Sequence, residues 1–490
     1  GEIGIVRIEG DGARLVPIDR KGKEIRIPAG DLGEAKDGDL VEVEVKPSGR
    51  LMIPRARVVA VIGNPRSEGA VSMIAIHMHD IPQAFTRSAL QEAEAAKPAA
   101  LKGREDWREV PLITIDPPDA KDHDDAVYAE VDPDNPDGMI VTVAIADVAF
   151  YVRPGSALDT DARQRGDAVY FPDRVVPMLP ERISNDLCSL REGEDRPCLA
   201  ARMVFDRHGE KRSHVMLRAM MRSAAKLSYQ EAQAAIDGAP SPKCEPLMDT
   251  ALRPLWTAYA ALARARDKRG PLDLDLPERK IKLDAEGRVA AVVIPERLDA
   301  HRLIEEMMIQ ANVAAAETLE KRKSPVVYRV HGAPSPEKLK NLKDFLETLS
   351  MSVPPAGQLR PAHFNRILAQ AKTLPVPDIV NEVVLRSQAQ AEYSPDNIGH
   401  FGLNLAKYAH FTSPIRRYAD LLVHRALIGA LKLGDDGLSD EQAQRLTSVS
   451  QQISQAERRA MAAERETIDR LIAAHLADRV GATFSARVGG

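Results

Sequence analysis

The sequence predicts an α+β protein in which a small antiparallel β-barrel precedes a mixed sheet and then a long helical half. Three observations carry this. Residues 1–62 alternate apolar and polar side chains in short runs separated by glycine-containing turns. From about residue 105 longer strand-like runs bracket an acid-rich segment, and from residue 229 the apolar spacing becomes helical. With 490 residues, 44% of them hydrophobic, the chain can bury a large core and divide into about two to four domains.

The first runs are Ile3 to Ile8, Arg14 to Pro17, Glu24 to Ile27 and Leu40 to Val45. Short strands at this spacing suit a barrel of the OB type. Such barrels bind single strands by stacking bases on exposed aromatics, but residues 1–62 contain no Phe, Tyr or Trp. Any nucleic-acid contact there falls to Arg14, Arg20, Lys21, Lys23, Arg26, Arg55 and Arg57. A barrel that merely packs against its neighbour, with a solvated basic rim, accounts for the same residues. Residues 63–104 read as a linker carrying one helix, Ala84 to Ala93, after Pro82.

A strand over Val110 to Ile115 enters the acidic segment, Ala126 to Val131 leaves it, and a turn at 132–138 returns the chain as Ile140 to Ile145, ending beside Asp147. The loop Gly166 to Pro172 holds Tyr170 and Phe171 and precedes a proline-punctuated stretch, Val176 to Pro180. Helical spacing follows over 229–236, 250–268, 301–320, 336–349, 361–371 and 379–390. A last helix is expected from Ser439 to Val480, with Gln442 completing a capping box and Gly481 a stop. Residues 481–490 alternate like the first strand of a further β domain, and the start at Gly1 without a Met likewise suggests a fragment.

The segment Thr114 to Asp125 places five aspartates between two strands. Asp122 and Asp124 alternate in an extended chain, and Pro117-Pro118 forces a turn that lets Asp116 fold back. Converging carboxylates raise one another's pKa unless a cation compensates them. Hard oxygen donors with water left in the shell suit Mg²⁺ or Mn²⁺, and two such ions can clamp the attacking and leaving oxygens of a phosphodiester. A solvated acidic turn is the plain alternative. A calcium loop lacks its turn glycine and closing glutamate here.

Two later segments carry chemistry. In His301 to Ile309, Ile304, Met308 and the following Ala311 make a buried stripe; Glu305 lies outside it, one turn from His301. Adjacent glutamates such as Glu305 and Glu306 more often simply face solvent. In His410 to Leu421, Thr412 or Ser413 suits an N-cap and Pro414 a first helical turn, which would set Arg416 and Arg417 beside a positive helix end, a phosphate site. The alternative is a helix start whose arginines pair with acids, Asp420 lying one turn from Arg416.

Charge and cysteine content exclude some classes. A net charge of −5 gives no global basic field of the kind that coats nucleic acid, though it permits a local basic channel. Cys188, Cys198 and Cys244 are too few and scattered for a disulfide framework or a zinc site, and suit a reducing cytosol. No apolar run approaches membrane-spanning length, and the start Gly1-Glu2-Ile3 has no basic n-region or apolar h-region.

Taken together, these segments resemble the RNase II/RNase R family of 3′→5′ exoribonucleases, over most of the chain through residue 480. The family's aspartates fall on Asp116, Asp122, Asp124 and Asp125; its loop tyrosine on Tyr170; the tyrosine of its Leu-x-Tyr segment on Tyr229; its helix glutamate on Glu305 or Glu306; and the arginine of Ser-Pro-Ile-Arg on Arg416. The wording of Asp396 to Leu403 and Tyr408 to Phe411 is closer to the RNase R branch.

The resemblance implies an OB or cold-shock-like barrel at 1–62, a linker at 63–104, an RNB-type catalytic domain at 105–432, its C-terminal helix at 433–480, and a truncated OB-type domain at 481–490. It implies a cytoplasmic, monomeric and processive enzyme that removes nucleoside 5′-monophosphates from the 3′ end of single-stranded and, with RNase R-like character, structured RNA, using one or two Mg²⁺ ions or Mn²⁺, with no membrane partner. Asp116 and Asp125 would be direct ligands, Asp124 would orient a metal or the water, and Asp122 would support them. Arg416 would neutralise charge on the phosphate, with Arg417 beside it; Tyr170 or Phe171 would stack on a base, and Tyr229 would hold the RNA end. Two departures stand out: Ile281 replaces a second stacking aromatic, and Glu464 is the candidate for an acid on the last helix. A noncatalytic RNA-threading module and a metal-dependent DNase are the rival readings.

Overall fold

A computed structural model describes the chain except residues 19–20, 48–52, 354, 356, 358 and 487–490, so Arg20 lies outside the described residues. Strands β1 (Glu2–Glu9), β2 (Gly12–Pro17), β3 (Ile25–Pro28), β4 (Leu40–Lys46) and β5 (Arg55–Gly63) close a barrel in the order β1-β2-β3-β5-β4. Alternation puts Val6, Leu15, Ile27, Val41, Val43 and Ala56 inside. On its outside Arg14 pairs with Glu9 and Glu24, and Arg57 with Glu44, all exposed and therefore worth little.

The linker holds two helices where the sequence predicts one: α1 (Glu68–Met78) and α2 (Arg87–Ala95), the latter capped by Thr86. α1 escaped the sequence reading because it buries residues on two sides, so no single stripe forms. Its Ala70 and Ile74 pack on Ile3 and Leu40 of the barrel, while Ala75 and Ile76 pack on Val169, Phe171 and Ala460.

The central sheet has seven strands: β6 (Glu105–Trp107), β7 (Ile113–Asp116), β8 (Asp125–Asp132), β9 (Asn135–Ala146), β12 (Asp195–Phe205), β13 (Lys211–Arg222) and β14 (Ala225–Ser228). Between β9 and β12 come α3 (Val148–Tyr151), α4 (Ala157–Arg165) and a small hairpin, β10 (Val169–Tyr170) with β11 (Val175–Val176). The order is β14-β7-β8-β9-β12-β13-β6, antiparallel except at the outer pairs, where β14 joins β7 and β6 joins β13 in parallel. β12 and β13 were not foreseen, because their Ala- and Met-rich runs lack the β-branched signature. Gly209 turns between them with φ +76°, where a Cβ would stand 2.1 Å from the Ala261 carbonyl oxygen.

The helical half contains α5 (Tyr229–Ile236), α6 (Arg253–Arg269), a hairpin of β15 (Lys280–Leu283) and β16 (Val289–Val293), α7 (Asp299–Lys321), and β17 (Tyr328–Val330). It continues through α8 (Pro336–Glu347), α9 (Pro361–Ala371), α10 (Pro377–Ser387), β18 (Glu392–Ser394), α11 (Tyr418–Ala430), α12 (Asp440–Gln444) and α13 (Leu446–Ala477). α5, α6, α7 and α11 share one apolar core with the sheet, whereas α8 to α10 form a separate core around Leu342, Phe364 and Val380.

Two expectations are corrected here. The predicted helix from Ser439 to Val480 breaks at Arg445, whose backbone leaves the helical region at φ −101° and ψ 9°; the expected capping box is only half made, since Ser439 Oγ accepts Gln442 N–H while the Gln442 side chain reaches Asp159 and Tyr418. Residues 481–486 form no strand, having no edge to pair with, and 487–490 lie outside the described residues. Asp147, at the end of β9, is wholly buried between Arg104 and Arg218 and belongs to an internal ion network with Asp436. Among the described residues no helix is long and apolar enough to cross a membrane.

Candidate active site

Asp116 ends β7 and Asp125 begins β8, so the two neighbouring strands present carboxylates at one sheet end. The connecting loop is pinned from below. His123 N–H donates to Ser189 Oγ (3.0 Å), Ser189 Oγ donates to the Lys121 carbonyl (2.7 Å), and Leu190 N–H donates to the His123 carbonyl (3.0 Å).

Each acid then meets a different partner. Asp124 is buried; it accepts Ile415 N–H on Oδ1 and Arg416 Nε–H on Oδ2, both at 2.9 Å. Burial nevertheless pushes its pKa up to about 7, the Arg416 charge only partly offsetting the lost hydration. Asp125 is held well above the usual carboxylate range by burial first and then by the charges of Asp116 and Asp124. No hydrogen bond reaches its carboxylate from the described residues. Asp116 Oδ2 lies 2.8 Å from His123 Nδ1, and Asp122 Oδ2 accepts the Tyr170 hydroxyl at 2.9 Å.

The geometry around Arg416 differs from the expectation. α11 begins only at Tyr418, and residues 414–416 form a turn. The reason is Asp420, whose carboxylate reaches back to Ser413 N–H (2.7 Å) and to Arg417 Nε and Nη2 (2.9 and 2.8 Å). The helix N-terminus therefore falls after the arginines, with Arg417 itself at the N-cap position, and Asp420 pairs with Arg417, not Arg416. Arg417, expected at the nucleic acid, has its fork filled by Asp420. Arg416 keeps one edge on Asp124, donates Nη2–H to Ser413 Oγ (2.8 Å), and leaves 42% of its side chain exposed.

Tyr170 and Phe171 separate by strand alternation. Tyr170 is 39% exposed, and its N–H donates to Glu464 on α13 (2.9 Å). Phe171 is buried against Ala75, Ile76 and Ala460, which corrects its assignment as a stacking residue. Tyr229 follows β14, whose Ser228 registers with Asp116. Its hydroxyl pKa is raised by burial first and then by the charges of Asp125 and Asp116.

Glu305 and Glu306 also separate. Glu306 is buried and accepts from Arg266 of α6 (2.7 Å), which corrects its candidacy as a reacting group. Glu305 stands on the open side, paired with Arg297. Neither hydrogen-bonds to the aspartates. Ile281 is half-buried in β15 opposite Val292. Sequence reasoning missed Ser189 and its anchoring of His123, a contact between residues 66 positions apart, as well as the bond from Ser413 to Arg416.

As the side chains stand, no three Asp, Glu, His or Cys of the described residues are grouped at metal-holding distance. The donor chemistry nonetheless fits a hard cation. Asp125 is a buried carboxylate without a hydrogen-bond donor, facing two further carboxylates, and such a group is stable as an anion only beside a positive charge.

Comparison with known proteins now decides the family. The RNB domain matches residues 104–433 and the cold shock domain residues 15–86. The chain belongs to the RNB-domain family. It is 38% identical to Ribonuclease R of Aquifex aeolicus over 98% of its own length and 68% of that protein, and 37% identical to Ribonuclease R of Escherichia coli over 96% of itself and 59% of the relative. It thus spans between about three fifths and two thirds of these relatives. The fold superposes on Mycoplasma genitalium RNase R in complex with double-stranded RNA with a TM-score of 0.91 at 26% identity, covering 100% of this chain and 88% of that one. It also superposes on yeast Ssd1, a pseudonuclease, with a TM-score of 0.69 at 18% identity over 95% of this chain and 59% of that one, a likeness of RNB fold alone.

Proposed function

We propose that this chain hydrolyses single-stranded RNA from its 3′ end, releasing nucleoside 5′-monophosphates with the help of Mg²⁺. The observation that carries the reading is the Asp124–Arg416 contact. It joins the acidic β7–β8 junction to a guanidinium 292 positions later and sets an anion-binding group against a cation-binding one.

Asp116 and Asp125 would hold the cation, which supplies a Lewis-acid charge and an acidified water when bound. Asp122 supports them while held by Tyr170, and Asp124 orients either the water or Arg416. The free donors of Arg416 are positioned to take charge that develops on the scissile phosphate, an electrostatic role. Tyr170 offers an exposed ring to a base, and Tyr229 meets the terminal nucleotide beside the acids. RNA is distinguished from DNA by contacts to the 2′-OH, and duplex from single strand by channel width.

The test is a 5′-labelled RNA incubated with Mg²⁺. Stepwise shortening from the 3′ end supports the proposal. An intact but bound strand supports a noncatalytic module, and equal loss of a DNA strand supports a DNase. A cytoplasmic location and a monomeric state belong to the same proposal; a single species of about 54 kDa in light scattering supports the latter.

A further inference from the structure

Tyr229 has a neighbour that the reading above leaves unused. Its ring lies flat on the imidazole of His301, with centroids 3.9 Å apart and planes 18° from parallel. The two residues come from different elements, Tyr229 at the first position of α5 and His301 in the first turn of α7. The helices are tied together next to the stack, where Ala300 N–H donates to Gln233 Oε1 at 2.9 Å.

The imidazole itself is fixed. Its Nδ1 accepts Leu298 N–H at 3.0 Å, satisfying an amide at the start of α7. An acceptor at Nδ1 requires the neutral ring with its proton on Nε2. Burial and the charges of Arg297, Lys280 and Arg302 all lower its pKa and keep it in that form. Tyr229, by contrast, has no hydrogen bond to its hydroxyl from the described residues. A half-buried phenol with a free hydroxyl is held only by what its face touches. Here one face lies on His301, and the residue before Tyr229 is Ser228, the β14 partner of Asp116 in β7.

We propose that His301 is a positioning residue: its ring clamps Tyr229 against the acid cluster and so sets the grip on the terminal nucleotide of the RNA. This rests on the reading of Tyr229 as a contact for the RNA end. Stacked aromatic pairs are worth enough to change binding about five- to tenfold when one ring is lost.

Two variants separate the ring from the hydrogen bond. His301→Phe keeps a flat ring and loses the acceptor for Leu298; His301→Asn keeps an acceptor and loses the ring. The expected result is that His301→Asn raises KM for a 5′-labelled single-stranded RNA about five- to tenfold, with kcat nearly unchanged. His301→Phe should leave KM as in the parent chain while lowering Tm. In a cycle with Tyr229→Ala, the His301→Asn effect on KM should vanish.

A purely structural role would move Tm in both variants and KM in neither, and that result overturns the proposal. So does a KM rise in His301→Phe as large as in His301→Asn, or strict additivity with Tyr229→Ala. Fluorescence anisotropy of the same RNA without added metal provides a second readout. If the parent chain binds RNA without cutting it, the proposed function fails, while the dependence of binding on ring and partner still tests the clamp.

Discussion

Arg416 and Arg417 are neighbours in sequence, both salt-bridged to buried aspartates, and they do opposite things. Arg417 matches its planar fork to Asp420 through two hydrogen bonds, and Asp420 also accepts Ser413 N–H, so the pair is closed. Arg416 gives only Nε to Asp124, whose pKa remains at about 7, and keeps an exposed edge. A saturated ion pair holds a turn in shape, whereas an incompletely compensated one, facing further acids, is available for chemistry.

That difference can be broken by mutation, beginning with the largest expected effect. Asp124→Asn should abolish RNA shortening, a loss of at least about a thousandfold, with RNA affinity within about threefold by anisotropy. Normal degradation by this variant would remove the metal-site assignment. Arg416→Lys should cost about a hundred- to a thousandfold in kcat, with Tm nearly unchanged, since a point charge cannot reproduce the planar donor set.

Arg417→Ala should instead cost about 3–5 kcal/mol of stability in urea unfolding, because Asp420 would be left charged and buried. If Arg417→Ala stays fully stable and loses only kcat, the contrast between the two arginines is wrong.

A pH prediction sharpens the same comparison. The backbone of residues 166–168 pairs with that of 416–418 through Ala168 N–H to Arg416 O and Tyr418 N–H to Gly166 O, both 2.9 Å. Within it, Asp167 is raised to about 7, by burial first and then by Glu457, with Arg417 opposing, and its Oδ2 has no hydrogen-bond partner. An acid raised on folding contributes its stability below the ordinary carboxylate range and loses it as pH climbs through about 7. Asp167→Asn should therefore unfold at higher urea than the parent at pH 8, by on the order of 3 kcal/mol, and show little gain at pH 4. An equal gain at both pH values would contradict the assignment. The smallest effect is expected for Tyr170→Phe, which keeps the ring and removes the bond to Asp122; about 1 kcal/mol, read as a few-fold change in kcat/KM, is expected.

The acidic segment, the hairpin of β8 and β9 and most long helices were legible because each is signalled locally, by residue type or by period. α1 was not, because a helix wedged between the barrel and the RNB domain shows no broad polar face. The start of α11 was misplaced because Ser413-Pro414 reads as a cap and first turn, while Asp420, seven residues on, reorganises it. The Arg416–Asp124 and Tyr170–Asp122 contacts depend on tertiary packing, so only the family resemblance, carried by motifs, anticipated that those residues would work together.

The central proposal is that the acids at the β7–β8 junction hold a divalent cation. Mn²⁺ titration monitored by electron paramagnetic resonance, on the parent chain and on Asp125→Asn at equal fold content by circular dichroism, tests this directly. Saturable binding of one or two ions by the parent chain is expected, tightening as pH rises through about 7 as the carboxylates lose their protons, with loss of at least one ion in Asp125→Asn. Identical Mn²⁺ binding by both proteins, or none by either, would contradict it.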